Sequence, residues 1–237
     1  GTSLMYSVYK LMPNSTDSTV FRTKANIPSF FFAFIDDHYD YHTALDSPQR
    51  LDKQSLAHHG LYAFNLLQYF GQTSLDQNFE SSDDMVYFNL PEFGLFYYPF
   101  SWNWYMYGLF IIMFVCVIYW GVKYKAINRK EVFKGFIPFI LTLLFAAVLG
   151  FYGWKLILWF YPEYNEILQG FPYNSHSYIF AFVCFTISLS LSVYAKFQKK
   201  INPHNALVIP IVFWFIICAL INIYLPGAGY FSIVVGF

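Results

Sequence analysis

Four stretches of this chain, 102–122, 136–161, 177–195 and 206–225, run for 19 to 26 residues with one charged side chain, Lys155, among them. As helices rising about 1.5 Å per residue, each is long enough to cross about 30 Å of hydrocarbon, where a helix satisfies its own backbone hydrogen bonds. The composition agrees. With 57% hydrophobic, 24% aromatic and only 12% charged residues, the chain is too apolar for an ordinary water-soluble domain. Residues 102–237 are therefore expected to form an all-α transmembrane bundle of about four helices.

The cations predict how such a bundle is oriented. The connection after the first stretch carries Lys123, Lys125, Arg129, Lys130 and Lys134, and the one after the third carries Lys196, Lys199 and Lys200. Between the second and third, residues 162–176 hold Glu163 and Glu166 and no Lys or Arg. The positive-inside rule puts loops 123–135 and 196–205 in the cytoplasm and residues 1–101 on the periplasmic or lumenal side. Trp102, Trp104 and Tyr105 at the entry of the first stretch, with Trp159 and Tyr161 at the exit of the second, suit the outer headgroup level.

Inside the stretches little chemistry is on offer. Lys155 stands near a helix end, where its ammonium can snorkel to the interface, and no carboxylate lies within a stretch to pair with it or relay protons. Cys116, Cys184 and Cys218 all fall within stretches, so a disulfide framework is not expected. Ala181, Cys184, Ser188 and Ser192 recur at helical spacing, a stripe expected to pack against a neighbouring helix. Pro138 and Pro210 are expected in the first turns of their helices. The apolar run after Pro226 reads as a further helix beginning or as a re-entrant piece.

Ahead of the membrane part, residues 1–75 read as the C-terminal part of an α/β domain. A helix is expected near 17–24, a strand covered on both faces over 29–35, and a helix over 52–70 with Gly71 as its stop. Residues 76–101 read as a linker, polar and then aromatic. Asn14-Ser15-Thr16 is a glycosylation sequon by pattern, and His58 and His59 read as packing or surface residues.

The segment richest in chemistry is Asp36 to Asp46, which holds four carboxylates and two imidazoles in eleven residues. Such a density of ligands suits either a cation or a solvated acidic loop. Within it, Tyr41-His42-Thr43-x-x-Asp46, followed by Ser47-Pro48, resembles the last metal-ligand segment of the family-28 zinc metallopeptidases. That family includes secreted aminopeptidases and the membrane-embedded endoplasmic-reticulum and vacuolar proteases. The flanks are similar as well: Thr16-Asp17 and Asn26-Ile27-Pro28 upstream, Leu51-Asp52 and His58-His59-Gly60 downstream.

The resemblance implies a zinc enzyme that hydrolyses peptide bonds next to a free N-terminus, with a peptide as substrate. His42 would be a zinc ligand and Tyr41 a catalytic hydrogen-bond donor to the oxyanion. Asp17 and Asp46 would stand close behind them. The family's other ligands, a His-x-Asp pair, a bridging Asp, a Glu pair and a further acid, are not found in this sequence. The chain therefore reads as the C-terminal portion of a longer enzyme, completed by an upstream part of the same protein. The alternative is a non-catalytic membrane subunit or scaffold that binds other membrane subunits. Lys+Arg 14 balances Asp+Glu 14, which gives no electrostatic case for nucleic acid.

Overall fold

The structure, a computed structural model, describes residues 2–12, 15–34, 38–77, 79, 83–90, 92–167, 170 and 172–236. Asn14 of the sequon, Ile35 of the expected strand, and Asp36 and Asp37 of the acidic run lie outside them. The chain divides into two units: residues 1–12, 83–166 and 174–237 form the first, and residues 13–82 with 167–173 form the second.

The first unit is built on four helices, each long and apolar enough to cross a membrane: α4 (Trp102–Lys123), α5 (Arg129–Phe160), α6 (Ser175–Phe197) and α7 (Pro203–Tyr224). The four expected stretches lie within these helices apart from a residue at two C-terminal ends. α5 starts seven residues earlier than expected. Asn128 caps it, its side-chain oxygen accepting from the Lys130 N–H at 3.0 Å, and the cation-rich residues that follow are helical. As a result Pro138 is not in a first turn but ten residues in, buried, and Pro210 likewise falls inside α7.

Polar side chains join α5 to α7. Asn205, 2% exposed, accepts from the Asn128 N–H at 3.1 Å and donates to the Glu131 carboxylate at 2.8 Å. Glu131 also accepts from the Asn202 N–H. Next to this node a Cβ on Gly135 would meet the Ala206 backbone at 3.1 Å, so a larger residue would push the two helices apart by a few tenths of an ångström.

The small-residue stripe on α6 does not make the helix contact expected of it. Ala181, Cys184, Ser188 and Ser192 are exposed. α6 instead meets α5 through Phe182, which lies where a Cβ on Gly153 would stand. The small residue at this contact belongs to α5. Lys155 sits over the Phe151 ring at 4.2 Å.

The same unit contains a piece that the sequence reading assigned to a linker. Residues 85–99 form an antiparallel hairpin of β1 (Met85–Leu90) and β2 (Gly94–Pro99), with Val86 opposite Tyr98 as its buried pair. The turn between them uses left-handed residues, Glu92 at φ 68° and Gly94 at φ 85°. Helix α1 (Ser3–Leu11), not anticipated from the sequence, packs here. The Ser3 hydroxyl donates to the Gly227 carbonyl and accepts from the Tyr87 N–H at 2.9 Å, and the Ser7 hydroxyl accepts from the Gly227 N–H at 3.0 Å. Gly227 belongs to a 3₁₀ turn, Pro226–Ala228, after α7, and a short helix α8 (Phe231–Gly236) follows it.

The second unit contains α2 (Asp17–Lys24) and α3 (Lys53–Gly71). Both begin at caps legible in the sequence. At α2 the Thr16 N–H donates to the Thr19 hydroxyl at 3.2 Å, and Asp52 accepts from the N–H groups of Gln54 and Ser55 at α3. Gly71 closes α3 from inside the helix rather than standing beyond it.

The strand expected over 29–35 is not present: residues 26–34 carry no strand assignment. A strand is defined by a ladder, and among the described residues no neighbour supplies one. The side chains nonetheless alternate as in a strand. Phe30 packs on Phe70, Phe32 stacks on Tyr62 at 4.9 Å, and Phe34 meets His58 and His59. The two histidines therefore both reach one phenylalanine, in keeping with their reading as packing residues.

Candidate active site

The loop between residue 34 and α3 is held by turns and one ion pair. A 3₁₀ turn covers His38–Asp40. Thr43 then donates to the Asp40 carbonyl twice, from its N–H at 3.0 Å and its hydroxyl at 2.7 Å. The same hydroxyl oxygen accepts from the Leu45 N–H, and the Asp46 N–H donates to the Thr43 carbonyl at 3.2 Å. Thr43 thus links the two turns flanking it.

The Asp40 carboxylate accepts from Arg50 in a fork, 2.6 Å from Nε and 3.1 Å from Nη2. A planar guanidinium facing a carboxylate fixes orientation as well as distance. This pair clamps the two ends of the Tyr41–Asp46 segment together. No motif singles out Arg50; its one signal in the sequence is that it is the only Lys or Arg between Lys24 and Lys53.

Tyr41 and His42 are brought together. Their rings stack with centroids 3.9 Å apart and planes 19° from parallel, and both are exposed. His42 has φ 58°, the left-handed region, which costs a non-glycine residue roughly 1 kcal/mol or more and persists only where surroundings impose it. Here the Thr43 turn and the Asp40–Arg50 fork do so.

Asp46 contributes its N–H to the turn, and its side chain is exposed. Asp17 is exposed at the first residue of α2, where a carboxylate favours the positive end of the helix dipole. That structural role accounts for it without reference to the loop. At the other border, the hydroxyl and N–H of Ser55 and the N–H of Gln54 hold the Asp52 carboxyl below its ordinary range. Tyr39 stacks on Tyr173 at 4.4 Å, and its hydroxyl donates to the Pro172 carbonyl at 3.4 Å. The connection between α5 and α6 thereby joins this unit.

Among the described residues, no three His, Cys, Asp or Glu side chains converge closely enough to hold a metal ion. Zinc takes three or four protein donors. The donor set described therefore does not make a zinc site by itself; His42 offers one imidazole.

The sequence model of Peptidase family M28 matches residues 2–67. No curated protein and no solved structure matches the chain significantly. The matched segment contains Asp17, Tyr41, His42 and Asp46 and ends before the first of the four membrane-capable helices, so the chain joins a family-M28-like peptidase segment to a helical part fit to anchor it.

Proposed function

We propose that this chain is the C-terminal portion of a membrane-anchored zinc aminopeptidase, acting on peptide N-termini on the periplasmic or lumenal side. The observation that carries this reading is the Peptidase family M28 match over residues 2–67, which encloses the Tyr41-His42-Thr43 loop. In this reading His42 supplies one zinc ligand, the remaining donors coming from elsewhere in the intact protein. The Tyr41 hydroxyl is a preorganised donor to the oxyanion that forms at the peptide carbonyl. Asp46 and the Asp40–Arg50 fork hold the loop in shape.

Two further observations support it. The left-handed backbone at His42 is the kind of local strain that folds retain at working sites. The stack of Tyr173 on Tyr39 puts the cation-free connection after α5 in the same unit as the loop, as the positive-inside assignment requires if both lie outside the cytoplasm.

The test is His42→Ala in the intact enzyme, assayed on peptides with free and blocked N-termini. Turnover should vanish while membrane insertion is unchanged. Retained turnover would remove the zinc role of His42 and leave the scaffold alternative, in which the spans bind other membrane subunits.

A further inference from the structure

Residues of α4 and α5 beside their cation-rich connection, with Val208 of α7, line an open crevice of about 540 Å³, within the size range of small-molecule sites. Val115 and Ile118 of α4, Val132 of α5 and Val208 of α7 supply apolar lining, and Lys123 and Arg129 supply its two cations. The apolar lining comes from membrane-capable helices, and the two cations are the last residue of α4 and the first of α5. A ligand that fits must therefore be apolar along its length and anionic at one end.

The charge balance at these ends sharpens the point. Residues 123–134 and 196–200 carry eight Lys or Arg and a single acid, Glu131. Glu131 is already turned to α7, where it accepts from Asn202 and Asn205. Among the described residues neither Lys123 nor Arg129 has an ion-pair partner. Arg129 also opens α5, so its cation sits at the positive end of a helix dipole, a placement that an external anion relieves.

The crevice is held open by rigid parts. Ile127 folds back on Gly121, where a Cβ would stand 2.5 Å from its Cδ1. The N–H groups of Ala126 and Ile127 both donate to the Gly121 carbonyl. On the far side the Asn128–Asn205–Glu131 node fixes α5 to α7.

From this geometry we infer that the crevice is a binding site for one anionic membrane phospholipid, its phosphate between Lys123 and Arg129 and an acyl chain along the Val115–Val208 wall. The inference requires the helices to lie in a bilayer and does not depend on any peptidase activity. Basic groups bordering a bilayer attract anionic headgroups in general; here two of them crown an apolar slot that a chain can enter.

The test uses the purified full chain, equilibrated in nanodiscs of phosphatidylcholine with a minor share of phosphatidylglycerol, then extracted in neutral detergent and examined by native mass spectrometry for retained lipid. The wild type should retain one phosphatidylglycerol in preference to phosphatidylcholine. Lys123→Gln with Arg129→Gln should reduce that preference about tenfold. Val115→Trp, which fills the slot and leaves both charges, should also abolish retention. Lys125→Gln with Lys130→Gln removes equal charge outside the lining and should leave the preference in place. Equal loss in that control, or preference surviving Lys123→Gln with Arg129→Gln, would overturn the proposal. So would displacement of the lipid by soluble glycerol phosphate, which would make this a phosphate site rather than a lipid site. Helical circular dichroism on each variant separates loss of the site from loss of the fold, and a variant that misfolds is replaced by Val208→Trp, held to the same expectation as Val115→Trp.

Discussion

Ile112 on α4 is 62% exposed and Phe64 on α3 is 61% exposed, yet the two exposures have opposite meanings. Ile112 belongs to a helix fit to sit in hydrocarbon, where an apolar side chain facing outward loses nothing. Phe64 belongs to a unit with polar loops and capped helices, where each large apolar side chain left in water forgoes roughly 1.5–3 kcal/mol of burial. Phe30, Phe31, Phe32, Phe34, Leu61 and Leu67 share its condition. Exposed apolar side chains in this number are expected where another body covers them, which is what the proposed upstream peptidase portion would provide. Exposure is therefore interpretable only together with the solvent, and the two regions of this molecule answer to different ones.

The contrast can be broken most decisively by chemistry. If catalysis resides in the small unit and anchoring in the helices, Tyr41→Phe in the intact enzyme should lower kcat by about 10²-fold with KM little changed, the cost of one oxyanion donor. It should sit just below His42→Ala in severity, and a kcat within twofold of wild type would take Tyr41 out of the site. Next in size is a pair of matched charges. Ile112→Asp should raise the apparent insertion free energy of its helix by roughly 2.5–3.5 kcal/mol, whereas Phe64→Asp should leave insertion untouched. A membrane-integration assay that found the two alike would erase the distinction drawn above.

A smaller effect is expected at the junction of α5 and α7. Asn205→Ala leaves the Asn128 N–H without its acceptor and Glu131 without one donor, so the detergent-solubilised protein should lose about 1–3 kcal/mol in thermal unfolding. The smallest effect is pH-dependent and confined to the other region. The Asp52 carboxyl is held low in the folded state, so its cap on α3 is at full strength above the ordinary aspartate range of about 3.9 and fades as pH falls through the lower folded value. The amide protons of Gln54 and Ser55 should exchange faster there, and Asp52→Asn should flatten that dependence.

The parts of the fold that could be read in advance are those whose signal is local. Uncharged length located the four helices, and the helices expected near 17–24 and over 52–70 start within one residue of α2 and α3. α5 began earlier than read because Arg129, Lys130 and Lys134 look like a loop by charge but follow a capping asparagine. The hairpin was missed because its turn and its Val86–Tyr98 pair lie in a run of aromatics that resembles an interfacial linker. The 29–34 segment shows the opposite limit: its alternation was legible, but a ladder depends on a neighbour that no local pattern specifies. The α6 stripe failed for a geometrical reason, since close approach needs one small residue at the crossing and Gly153 of α5 already supplies it. At the candidate site, Tyr41 and His42 were readable as a pair, whereas Arg50 was not, because its partner is chosen by the turn rather than by spacing.

One consequence follows from the seat of the first helix. Ser3 bonds to Gly227 across 224 residues of chain, so α1 leaves the ribosome before any of the four long helices and its acceptor emerges after all of them. A contact of that separation cannot guide early assembly, because the loop it closes is 224 residues long. Docking of α1 is therefore a finishing step in biogenesis, and until it happens the two serines, the hairpin edge and the 226–228 turn remain open to whatever else is present during translation.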